Sequence, residues 1–180
     1  MRIFYLVCCL VLLSVPASAN HIGIYAEQTG GACSVTPVPV ITTLYVVALQ
    51  STGTDGAAFK VNAAIPAGIT PIGASPINFI CVTDCNPYEG AGAIRTCSAD
   101  AWPMYSLTFL TTGPVNLSTC NHLTVTAYPG QSTPALQDCA DNIMPATGGS
   151  FSFVSGPGQC SDCALATEPT TWGSVKALYR

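Results

Sequence analysis

Two histidines, His21 and His122, are all the imidazole in this 180-residue chain. Imidazole is the side chain most often recruited as a general base or a transition-metal ligand. A histidine at a free N-terminus, together with a second one, can grip copper through its amine and both rings. That is the arrangement of an exported enzyme that cleaves polysaccharides oxidatively, and His21 stands near such a position. The opening "MRIFYLVCCLVLLSVPASA" reads as a secretory signal, with one cation (Arg2), an apolar run and the small-residue site Ala17-Ser18-Ala19. Cleavage after Ala19 leaves Asn20 first, so the free amine does not belong to His21 and copper chemistry is disfavoured.

Cys160-x-x-Cys163 has the spacing of a redox or zinc pair. It follows a Gly/Pro turn rather than opening a helix, and export to an oxidising compartment favours disulfides. Eight cysteines remain after signal removal: Cys33, Cys81, Cys85, Cys97, Cys120, Cys139, Cys160 and Cys163. They allow up to four bridges, in 105 arrangements that sequence alone does not separate. Asp84, Asn86 and Glu89 in "DCNPYEG" offer hard oxygen ligands, but without the dense alternating acidic pattern of a calcium loop. No G-x-S-x-G elbow presents a nucleophile, and no motif calls for a cofactor. Trp102 in "SADAWPMY" and Tyr88 lie beside turns, where exposed rings could stack on sugars; core packing is the competing reading for the tryptophan.

These residues need a scaffold, and the composition points to one kind. The mature 161 residues are one domain's worth, long enough to bury a core. Charged residues are only 8% of the chain, against about 25% in an average soluble domain. Four cations (Lys60, Arg95, Lys176, Arg180) face nine carboxylates after signal removal. So few scattered cations exclude a nucleic-acid or anionic-membrane surface. After the signal, no stretch is long and apolar enough to span a bilayer as a helix.

Period-two alternation recurs in short runs: "HIGIYA" (21–26), "LYVVALQ" (44–50), "AAFKVNAAI" (57–65), "INFICV" (77–82), "YSLTFLT" (105–111), "HLTVTAY" (122–128) and "FSFV" (151–154), with "GAIRTC" (92–97) as an eighth. Gly/Pro turns separate them. Seven or eight such strands predict an antiparallel β-sandwich, immunoglobulin-like in architecture and stabilised by disulfides. Neither an internal repeat nor a dividing linker is visible. The organisation expected is a signal peptide (1–19), a β domain (20–163) and a tail (164–180).

The start "IGIYAEQTGGAC" and the end "CSDCALATEPTTWGSVKALYR" resemble the two signatures of a loose group of secreted proteins from environmental bacteria. In that group an "IGIYAD" opening precedes a cysteine-containing β domain, and the tail closes on a pattern similar to "TTWGxIKxLY". Glu27 stands where the group prefers Asp. The match covers 33 residues, about a fifth of the mature chain. It implies an exported bacterial β domain and no catalytic residues. The sequon at Asn116 is then silent.

The tail differs in period from the rest. Trp172, Val175 and Leu178 or Tyr179 fall on one face of a short helix, with Thr170 or Thr171 as cap and Lys176 and Arg180 near its C-terminal end. About ten residues do not hold a helix alone in water. The face must dock, either on its own sandwich or on another protein that reads it as a sorting or attachment signal. The sequence thus predicts a secreted or surface-associated, non-enzymatic binding or structural module with a protein or polysaccharide partner. A carbohydrate-binding module built on Trp102 and a copper enzyme built on His21 and His122 are the alternatives.

Overall fold

The structure is a computed structural model that describes residues 20–37, 40–50, 52–83 and 85–155. The signal segment, Asp84 and the whole tail, including Cys160, Cys163, Trp172, Val175, Leu178 and Tyr179, lie outside the described residues, as does the expected helix.

Every element among the described residues is a strand: β1 (His21–Tyr25), β2 (Ser34–Val35), β3 (Val40–Leu49), β4 (Thr54–Ala63), β5 (Ile69–Pro76), β6 (Ile80–Cys81), β7 (Ala91–Ser98), β8 (Trp102–Thr111), β9 (Leu123–Thr126), β10 (Ala135–Asp138), β11 (Ile143–Pro145), β12 (Thr147–Gly148) and β13 (Ser150–Phe153). They form two sheets. The first has the order β12-β1-β3-β8-β5. The second runs β11-β10-β4-β9-β13-β2, with β7 pairing β4 and β6 pairing β7.

Alternation places Leu44, Val46, Leu107 and Phe109 of the first sheet against Phe59, Val61, Leu123, Phe151 and Phe153 of the second, and all are buried. Aromatic pairs cross between the sheets edge to face: Phe59 meets Tyr105 at 6.0 Å and Phe109 meets Phe153 at 5.5 Å. This is the two-sheet β-sandwich that the alternation implied. It is not wholly antiparallel, because β1 pairs β12 and β13 pairs β2 in parallel. The expected "INFICV" strand shrinks to Ile80–Cys81, while β5, carrying Pro71, Gly73 and Pro76, went unpredicted. β5 is an edge strand, where a proline's missing N–H costs nothing because that side is unpaired.

Two disulfides join described residues, Cys81–Cys85 and Cys97–Cys139. The second spans the start of β4, since β7 and β10 flank that strand on either side. It passes directly over Gly53, where an added Cβ would lie 2.8 Å from the Cys139 sulfur and 3.2 Å from that of Cys97. Cys33 and Cys120 are also disulfide-bonded.

Candidate functional site

The first sheet carries no Asp, Glu, Lys or Arg in any of its five strands. Its inner face supplies half the core. Its outer face is set by register. Thr70, Leu110 and Ile41 make one row across β5, β8 and β3. Gly73, Thr108 and Thr43 make the next, and Ser75, Ser106, Tyr45 and Tyr25 the third. Ile41 is 52% exposed and Ile72, the bulged residue of β5, 51%. The result is a flat surface of hydroxyls and aliphatics. Tyr25 is buried at one margin, where desolvation pushes its phenol up to about 12 and keeps it neutral.

The residues chosen for chemistry end up elsewhere. His122 is 1% exposed, and the backbone N–H of Phe153 donates to its Nδ1 at 3.0 Å. The ring proton therefore sits on Nε2, 3.1 Å from Thr119 Oγ1. With both nitrogens committed, His122 has no lone pair for copper. This geometry lends no support to a copper site shared with His21, whose Nδ1 lies 2.8 Å from Thr147 Oγ1. Among the described residues no three His, Cys, Asp or Glu side chains group as metal ligands. Asn86 Oδ1 accepts the Tyr88 N–H at 3.1 Å in a local turn, and Asp84, the third member of the expected oxygen cluster with Glu89, lies outside the described residues.

Trp102 is 2% exposed and belongs to the core. Phe79 meets it edge-on at 6.4 Å, and the Arg95 guanidinium lies 4.6 Å from its ring centre. Of the two readings of Trp102, core packing is the one observed and the alternative sugar platform is corrected: β8 pairs Trp102 with Ala48, both buried, so the ring cannot reach a ligand. Tyr88 is half-buried, and burial raises its phenol above the ordinary value. Its hydroxyl is enclosed, so it presents no free ring face tip-first to solvent.

No family model matches this chain, and no curated protein matches it. Among solved structures it is similar to a chain of the crystallised complex of CaDoc0917 and CaCohA2, at 14% identity and a TM-score of 0.47, covering 75% of this chain and 99% of that one. It is similar also to a non-cellulosomal cohesin from the archaeon Archaeoglobus fulgidus, at 13% identity and a TM-score of 0.42 over 76% of this chain and 92% of that one. A third is a cohesin module from a Clostridium perfringens family 33 glycoside hydrolase, at 9% identity and a TM-score of 0.41, covering 75% and 96%.

Sequence reasoning missed the outer-face residues. Their signal is an absence, since the runs "LYVVALQ" and "YSLTFLT" hold no charge at any position.

Burial lowers the pKa of both histidines. Each is therefore neutral in the fold, while an unfolded histidine titrates near 6.5. A depressed native pKa means that the unfolded chain binds protons first as pH falls. The stabilisation is fully present above about pH 6.5 and is lost as pH falls through the lowered native values. Urea unfolding at pH 7.5 and pH 5 is expected to show a clear loss of stability at the lower pH. The loss should be smaller in His122→Gln, which keeps only the His21 contribution.

Proposed function

We propose that this protein is an exported, non-enzymatic protein-binding module, and that its docking surface is the outer face of β3, β8 and β5. The observation that carries this reading is the charge-free sheet. A sheet face meant only for water gains solubility from Lys and Glu at outward positions. A face that another surface will cover loses by carrying them, because stripping water from an ion costs several kcal/mol, and interface centres are accordingly poor in charge.

The edge beside this face is closed to strand addition. Pro71 and Pro76 remove N–H donors from β5, and a bulge falls between Pro71 and Gly73. A partner thus meets side chains rather than backbone. Three strands about 4.8 Å apart give a patch of a few hundred Å², the size of a weak, reversible contact. The secretory opening and the disulfides support a site of action outside the cell.

The test uses immobilised mature protein and the extracellular proteins of its source. Thr43→Lys with Thr108→Lys is expected to reduce specific capture by about tenfold or more, since each buries an unpaired cation. Asn62→Lys, exposed on the other sheet, should leave capture unchanged. Capture insensitive to the Thr43 and Thr108 changes would reject this face as the docking surface.

A further inference from the structure

On the opposite sheet, the outer face holds a trough of about 250 Å³. Its floor is built from small side chains at outward positions. Ala58 of β4 pairs Gly92 of β7 on one side and Ala135 of β10 on the other, and Gly56 continues the floor two residues on. Val82, Ile94, Tyr128 and Ile143 stand around it. Among the described residues six large aliphatic side chains are exposed, and four of them, Ile80, Val82, Ile94 and Ile143, gather on this face. Small residues over three adjacent strands leave a depression where most sheets carry long side chains, and its exposed aliphatic rim marks a surface that something covers.

Charge selects among the occupants. No cation lines the trough. The last residue of β10 and the turn that joins it to β11 carry two carboxylates at its end, Asp138 and Asp141. Asn142 donates to Asp138 through its side chain at 2.9 Å and its backbone at 2.8 Å, and Ala140 N–H adds a bond at 2.9 Å. These donors hold the Asp138 carboxyl below its ordinary range, so it is ionised. The described domain has only Lys60 and Arg95 as cations; the other two of the mature chain, Lys176 and Arg180, lie in the tail beside Trp172, Val175 and Leu178.

We infer that the C-terminal segment 170–180 of the same chain docks in this trough, with the Trp172 indole over the glycine and alanine floor and Lys176 and Arg180 toward Asp138 and Asp141. Sixteen residues separate Ser155 from Trp172. Extended, they reach about 50 Å, against roughly 10–15 Å across the strands between β13 and the trough. The segment brings an apolar face that cannot stay helical alone, and the trough offers an apolar surface of matching charge. This inference concerns the second sheet and stands apart from the docking face on the first.

The two tryptophans make a direct test, because Trp102 is buried and serves as an internal reference. In the full mature chain both emissions should be shielded from acrylamide. Ala58→Leu fills the floor. Ile143→Lys, at a site 75% exposed and safe for folding, sets a cation against Lys176 and Arg180. Each is expected to raise the quenching of about half the emission several-fold, and neither should alter quenching in Trp172→Ala. Equal quenching of Trp172 in wild type and both variants would overturn the proposal. Protection lost on dilution would overturn it as well, since the segment would then be docking on a second copy. Thr43→Lys on the first sheet should leave the quenching unchanged, which separates failure here from failure of the functional reading.

Discussion

Trp102→Ala should cost about 3–5 kcal/mol of stability, the range for removing a buried aromatic and leaving its cavity. In a domain of this size that lowers the melting temperature by about 10 °C. The ring sits between Phe79 and the Arg95 guanidinium. Arg95 also donates through Nη2 to the carbonyls of Ser98, at 3.0 Å, and Asp100, at 3.1 Å, which form the turn leading into β8. Gln50 donates to the same two carbonyls. Loss of the indole therefore loosens the β7–β8 turn as well as the core. Trp102→Phe should cost less, because an aromatic face remains under the guanidinium. Thermal unfolding of the three proteins measures this. An alanine variant as stable as wild type would return Trp102 to the surface and revive the sugar-stacking reading.

Gly148→Ala is expected to destabilise by about 3 kcal/mol or more, an unusual effect for one methyl group. A Cβ at this position would run into the backbone carbonyl of Val125, which has no flexible end to move aside. The neighbouring residue joins the sheets. Gly149 N–H donates to Ile22 O of the first sheet at 2.8 Å, and its carbonyl accepts from Val125 N of the second at 2.9 Å. Pushing residue 148 away from β9 strains both bonds at once. Gly113→Ala is the control, since an added Cβ there meets nothing within 4 Å, and it should fall within about 0.5 kcal/mol of wild type. Urea midpoints compare them. A Gly148→Ala midpoint equal to that of Gly113→Ala would show that the crossover has slack.

The long inner strands were legible because burial on one face imposes a period of two. "YSLTFLT" falls inside β8 and "AAFKVNAAI" overlaps β4, overrunning its end by Ala64 and Ile65, with Phe59, Val61, Leu107 and Phe109 inward as the alternation requires. Strands of two to four residues, such as β2, β10 and β12, carry too few positions for any period. Their existence depends on the neighbour they pair with. β5 was hidden for a different reason: two prolines and a glycine read as turn until an edge position makes them acceptable.

The candidate site followed the same division. Single residues with distinctive chemistry drew the reading toward His21, His122, Asn86 and Trp102, and packing or local hydrogen bonds absorbed each of them. The charge-free face was spread over three strands from separate parts of the chain, so no local window contained it.

Sequence alone determined that this protein is all-β, poor in charge and rich in cysteine, because composition and period-two burial are local properties. Tertiary structure decided which cysteines meet across β4, which outward residues share a row, and that Trp102 lies inside. Those outcomes rest on strand order and register, and residues from distant stretches become neighbours only when the two sheets close on a common core.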